Sequence, residues 1–214
     1  GFKASGLATS YAAAENVFAM TQGGITEPVK LDRISQSAYL AKRIAQPAAP
    51  EEPALTMVSA GPPIRNTVLR ILDDQFDELP ERHIGEIALQ SNCMLTGYYH
   101  RTDATEKSFH QGWFLTGDLG YLADGEVFIT GRKKDLIIVG GKNIYPQDLE
   151  NLTSEVPGVH PGRVAAVGVL NENTGTEDVV IIAEVEDEIS ASAEESEKAA
   201  NTIRQYITRN SDIS

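Results

Sequence analysis

Residues 112–150 read GWFLTGDLGYLADGEVFITGRKKDLIIVGGKNIYPQDLE. Two apolar runs inside this stretch, residues 127–129 and 136–139, are too short for helices and rich in β-branched side chains, so both predict strands. Gly131-Arg132-Lys133-Lys134 lies between them and Gly140-Gly141 follows. Asp118, Arg132 and Lys134 are therefore predicted on short connections and strand ends, where a rigid scaffold can present polar groups to a ligand. Taken alone, the same residues also suit an ordinary hairpin with solvated cations and a diglycine turn. Gly117-Asp118 is likewise a common turn signal.

Outward from this stretch the chain is rich in strand patterns. Residues 65–72 alternate, residues 85–90 form another apolar run, and Met94-Leu95-Thr96-Gly97-Tyr98-Tyr99 continues the series. Short strands at such spacing predict a small antiparallel sheet or a distorted barrel. Upstream, Ile34, Ala38, Ala41 and Ile44 recur at helical spacing and predict a helix over 32–44, followed by a proline-rich loop over 46–53. Residues 7–22, read by composition, suit an alanine-rich helix with one exposed glutamate, Glu15.

Downstream, Pro146 suits a first helical turn, and Gln147, Asp148 and Glu150 place acceptors near its start. That helix is expected to end near Pro157-Gly158. Residues 163–170 and 178–186 read as strands across a polar turn. A last helix is predicted over 193–209, with Ala199, Ala200, Ile203, Tyr206 and Ile207 on one face. The fold class is α+β, an antiparallel β-rich part followed by a small α+β part, with the boundary drawn between Lys134 and Asp135.

Composition narrows the function. A formal charge of −13 over 214 residues opposes non-specific binding to nucleic acid or to an anionic membrane surface. It leaves a small phosphate ligand open, because local cations and Mg²⁺ govern such a site. Cys93 is the only cysteine, so no intrachain disulfide is possible and a reducing, cytoplasmic setting is the expectation. Cys93 has no histidine nearby in sequence and reads as a buried or idle thiol. His83, His100, His110 and His160 lack metal-ligand spacing. No stretch is long and apolar enough to predict a membrane span.

Three motifs together resemble the adenylate-forming (AMP-binding) superfamily of acyl-CoA synthetases, fatty-acyl-AMP ligases, luciferases and peptide-synthetase adenylation domains. Thr116-Gly117-Asp118 resembles its TGD motif, and Gly131-Arg132-Lys133-Lys134-Asp135 with Leu136-Ile137-Ile138 resembles its hinge motif. Tyr11-Ala12-Ala13-Ala14-Glu15 is similar to its YGxTE motif, with Ala12 in place of the glycine and Ala14 in place of the threonine. Residues 143–150 are most similar to the fatty-acyl-AMP ligase branch and its near relatives.

The resemblance implies an enzyme that activates a carboxylic acid, a fatty acid above all, with ATP and Mg²⁺. The acyl-AMP would then pass to a thiol, either CoA or the phosphopantetheine of an acyl carrier protein. It places Tyr11 near the adenine, Glu15 on Mg²⁺, Asp118 on the ribose and Arg132 on the ribose or phosphate. Lys134 becomes the hinge between a large-domain portion (1–134) and a small mobile domain (135–214). Gly140 and Gly141 become the pair that approaches the thiol tunnel. Residues 23–56 are either an insertion of the fatty-acyl-AMP ligase branch or a surface excursion. The family's phosphate loop would lie upstream of Gly1 and its adenylation lysine beyond Ser214, so residues 1–214 alone are expected to be inactive. Acyl-CoA ligase and fatty-acyl-AMP ligase both remain open, as does a non-catalytic binding module, to which Ala12 and Ala14 would point.

Overall fold

The computed structural model describes residue 3, residues 6–171 and residues 174–211. The chain divides into two compact units between Lys133 and Lys134.

The first unit begins with irregular chain. The alanine-rich stretch is not the helix that composition suggests: only Ala14–Asn16 make a 3-10 turn. Val17 then takes φ +65°, and Ala12 bridges back to Ala19. Asn16 is the reason for the tight return. It is buried, its Nδ2 donates to the Ala19 carbonyl at 2.9 Å, and its Oδ1 accepts from Ser91 Oγ. The predicted helix over 32–44 is half strand. Leu31–Ser35 form β1, and Ser35 caps a short helix α1, Gln36–Lys42, by accepting from the Ala38 amide. Ile34 is buried as a strand residue, and its spacing from Ala38 imitated a helical face. β1 pairs with β2 (Ala54–Val58) in an antiparallel ribbon.

The principal sheet is antiparallel. It comprises β3 (Thr67–Leu72), β4 (Gly85–Ser91), β5 (Phe109–His110), β6 (Trp113–Ala123) and β7 (Glu126–Arg132), with a short helix α2 (Thr102–Lys107) leading into β5. β6 lies at its centre. β4 pairs along one side of it and carries β3 at the sheet edge, while β5 and β7 pair with the first and last parts of its other side. Residues 94–99 are irregular chain rather than the strand the sequence suggests. The buried side chains Ile71, Ile87, Leu89, Phe114 and Val127 pack with Tyr11 and Met20 into one core. Tyr121 and Phe128 stack at 4.9 Å in a second.

The second unit is a separate α+β body. β8 (Ile137–Val139) and β9 (Lys142–Ile144) form a hairpin turned by Gly140 and Gly141, at φ +56° and +80°. Positive φ at both turn residues is what a two-residue hairpin connection of matching twist requires, and glycine adopts it without a Cβ clash. Helix α3 (Pro146–Ser154) follows, then a long ribbon of β10 (Val159–Asn171) and β11 (Thr176–Val185). α4 (Asp187–Ser190) leads to α5 (Ala193–Asn210), which buries Ile203 and Ile207 against Leu149, Val156 and Ala166. The α+β class predicted from the strand and helix patterns is the class observed. No helix among the described residues is long and apolar enough to cross a membrane.

Candidate nucleotide site

Asp118 does not sit on a connection; it lies within β6. What frees its side chain is a break in the ladder. Glu86 pairs with Leu119 and Ala88 with Leu115, so Thr116, Gly117 and Asp118 face Ile87 alone. The surplus residues bulge outward through Gly117, at φ +71° with open space where a Cβ would lie. Side chains fix the bulge. Thr116 Oγ1 donates to the Ile87 carbonyl at 2.7 Å and accepts from the Asp118 amide at 3.1 Å. Glu86 Oε1 accepts from the Gly117 amide at 3.2 Å.

The Asp118 carboxylate is gripped from two sides. Tyr11 Oη donates to Oδ2 at 2.5 Å, and Arg132 Nε donates to Oδ1 at 2.7 Å. Asp118 and Arg132 are also register partners across β6 and β7, so backbone pairing supports the side-chain contact. Tyr11 has its ring in the core and its hydroxyl in the site. Burial, then the bond to Asp118, raises its phenol well above the ordinary tyrosine value, so the hydroxyl stays a donor. A carboxylate offers about four lone-pair sites. Two bonds therefore leave Asp118 with capacity for further donors.

These groups line one open cleft of about 540 Å³. Glu15 lines it too, half-buried, its carbonyl accepting from the Leu95 amide at 2.7 Å and its Oε1 accepting from Tyr98 Oη at 2.9 Å. Burial, then the bond to Glu15, raises the Tyr98 phenol above its ordinary value. A half-buried carboxylate on the wall of this cleft is chemically suited to a hard divalent cation. Among the described residues no group of three or more His, Cys, Asp and Glu converges. Glu15 could contribute one oxygen ligand to such a cation.

Sequence reading missed Glu86 and Lys133. Lys133 Nζ meets Glu86 Oε2 and Asp74 Oδ1, each at 3.0 Å, on the wall of the same cleft. Burial pushes the Lys133 ammonium down, and the two carboxylates more than offset it, leaving the group above the ordinary lysine value. The repeated lysine in the GRKK run was the available signal, but nothing local names Glu86 as its partner. Cys93, expected to be buried or idle, is exposed.

Lys134, Gly140 and Gly141 belong to the second unit. Lys134 is exposed within the 3-10 turn Lys133–Asp135. The hairpin bearing the two glycines is tied to the start of β11: the Gly140 amide donates to Thr176 Oγ1 at 2.7 Å, and the Ile138 amide to Glu177 Oε2 at 2.5 Å.

Comparison with known proteins adds the relatives. No family model matches the chain. The medium-chain-fatty-acid–[acyl-carrier-protein] ligase JamA of Moorena producens is 34% identical, over 100% of this chain and 38% of its own length. The putative ligase Rv1013 of Mycobacterium tuberculosis is 34% identical, over 78% of this chain and 31% of its own. A solved structure from work on fatty acyl-adenylate ligases of E. coli and L. pneumophila superposes with a TM-score of 0.75 at 26% identity, covering 97% of this chain and 36% of that one. The chain belongs to the adenylate-forming superfamily. McyG A-PCP, solved with phenylalanyl-adenylate, is a more distant member by superposition, with a TM-score of 0.64 at 31% identity over 100% of this chain and 34% of its own. Relatives in the superfamily carry the names of acid–thiol ligases. The chain spans about a third of the length of the curated relatives first matched, at 31% and 38%.

Proposed function

We propose that this chain supplies the nucleotide-sugar grip and the swivel of a ligase that activates a fatty acid with ATP and passes it to a thiol. The observation that supports the reading is Asp118, its carboxylate held between a buried tyrosine hydroxyl and an arginine at the edge of an open cleft. Acceptors aimed this way suit the vicinal hydroxyls of a ribose, and Arg132 presents a planar fork for phosphate or ribose oxygens.

In the first half-reaction a substrate carboxylate oxygen bonds to the α-phosphorus of ATP while the bond to the bridging oxygen breaks, releasing pyrophosphate and leaving acyl-AMP. In the second, a thiol sulfur, having lost its proton, attacks the acyl carbonyl carbon and AMP departs. Adenylation needs alignment and charge stabilisation rather than a protein nucleophile. The residues here therefore position and hold: Tyr11 beside the nucleotide, Asp118 on the sugar, Arg132 across from it. Glu15 would hold Mg²⁺, which when bound neutralises phosphate charge. Lys134, exposed in a short turn, is the swivel about which the second unit re-orients between the two steps, and the Gly140-Gly141 turn is the element that approaches the incoming thiol.

The acceptor we favour is the phosphopantetheine of a carrier protein, with CoA second. JamA, named for a carrier-protein acceptor, aligns over the whole chain, whereas relatives named for CoA align over 85% (an acyl-CoA synthetase of Caulobacter vibrioides), 71% (fadD21 of Mycobacterium leprae) and 56% (2-succinylbenzoate–CoA ligase of Bacillus velezensis) of it. The test is ATP–pyrophosphate exchange by the full-length protein across fatty acids of graded length, followed by offering CoA and a carrier protein. Absence of acid-dependent exchange with every acid would refute the ligase reading. Exclusive transfer to CoA would refute the choice of acceptor.

A further inference from the structure

Glu86 is a carboxylate in an unusual position. Its side chain is 8% exposed, and each oxygen is committed to a different element. Oε1 holds the Gly117 amide at the apex of the bulge that aims Asp118, and Oε2 holds Lys133 Nζ, one residue before the swivel Lys134. A buried carboxylate is tolerable only while its donors remain in place, since removing one leaves an uncompensated charge. Gly117 has no side chain and nothing packs where a Cβ would lie, so hydrogen bonds rather than packing hold the bulge. Lys133 is itself shared with Asp74, which is 75% exposed and can take the ammonium when Glu86 does not.

We propose that Glu86 is a positioning residue that couples the nucleotide grip to the swivel, with Lys133 as the movable partner. When Lys133 is on Glu86, the carboxylate is neutralised and the Thr116–Asp118 bulge is held with Asp118 facing the sugar. When the backbone at 133–135 turns and draws Lys133 away toward Asp74 or water, Glu86 loses its counter-charge and the bulge loosens, weakening the hold on the nucleotide. The inference rests on the reading of Asp118 as the ribose acceptor.

The experiment uses the full-length protein and a double-mutant cycle of Glu86→Gln and Lys133→Met, with Lys133→Arg as the conservative rescue. Glu86→Gln weakens the hold on the Gly117 amide from a charge-assisted to a neutral hydrogen bond and at the same time releases Lys133. Both single variants should raise KM for ATP in the exchange reaction by roughly five- to twentyfold, leave kcat within about twofold, and combine to no more than either alone, as residues in one network do. Lys133→Arg should restore KM. The lysine variants change a partly exposed side chain, so the cycle remains readable through them if Glu86→Gln folds poorly. An unchanged KM with only a lowered melting temperature would overturn the proposal, leaving Glu86 a structural staple. Additive effects would overturn it too, because Lys133 would then touch ATP on its own account. Equilibrium dialysis with ATP separates the two readings: a wild-type protein that binds no ATP sinks the nucleotide site itself, whereas wild-type binding with unaltered binding by Glu86→Gln and Lys133→Met sinks the coupling alone.

Discussion

Asp118→Asn in the full-length protein tests the proposed nucleotide grip, because it preserves shape and removes one charge. Asp118 is 15% exposed on its side chain, so its hydrogen bonds are only partly screened, and Tyr11 and Arg132 each take one bond from it. An ionised carboxylate has about two acceptor sites left for the ribose hydroxyls after those bonds. An asparagine that turns its carbonyl to Arg132 presents its NH₂ to Tyr11 and keeps about one acceptor site. One charge-assisted bond is then lost and the other weakened to a neutral one, together about 3 kcal/mol. That is roughly a hundredfold in kcat/KM for ATP. The ion pair with Arg132 adds little to the change, since the arginine is half exposed. Pyrophosphate exchange at saturating fatty acid measures the effect, with thermal unfolding as the control for folding. A variant whose kcat/KM for ATP stays within threefold of wild type, with an unchanged melting temperature, would refute the assignment of Asp118 to the sugar.

Three further outcomes follow from the geometry. Lys134→Pro fixes φ at the proposed swivel and should leave pyrophosphate exchange near wild type while slowing acyl transfer to the thiol by tenfold or more; equal slowing of both steps would count against a swivel here. Gly141→Ala places a side chain at φ +80° in open space, so its cost is conformational alone, about 1 kcal/mol on chemical denaturation, and no loss would contradict the turn geometry. Tyr121 is fully buried and donates to Asp32 Oδ2 at 2.9 Å. Burial, then that bond, raises its phenol above the ordinary value. Above about pH 10 the unfolded chain sheds this proton while the folded chain keeps it, so stability should fall as pH climbs through that range. Tyr121→Phe should flatten the fall in urea midpoint with pH, and an unaltered slope would speak against the burial argument.

What could be read from the amino acids was local. Val127, Phe128 and Ile137 announced strands, Gly140-Gly141 a tight turn, and Ala199 to Ile207 a helical face, because each pattern completes itself within a few residues. The motif positions Tyr11, Asp118 and Arg132 were legible through resemblance, and the structure brings them into hydrogen-bond contact. What could not be read was non-local. Glu86 and Lys133 lie 47 residues apart and meet only through the ladder between β4 and β6 and that between β6 and β7. Asp118 was expected on a connection because a glycine precedes it; a bulge satisfies that glycine without ending the strand. Residues 32–44 misled because Ile34 and Ala38 are spaced as in a helix while belonging to different elements, with the Ser35 cap between them.

The bulge in β6 also constrains how this segment tolerates change in length. Side chains alternate faces along a strand, so deleting one residue between Leu115 and Leu119 would either shorten the bulge or turn everything beyond it over, carrying Tyr121 out of the interior. Gly117, by contrast, opens on empty space, and replacing it meets only a backbone preference. Libraries that vary identity at this point should therefore return folded proteins far more often than libraries that vary spacing, and an alignment gap placed here in a relative would signal a differently shaped cleft around Asp118 rather than a neutral trim.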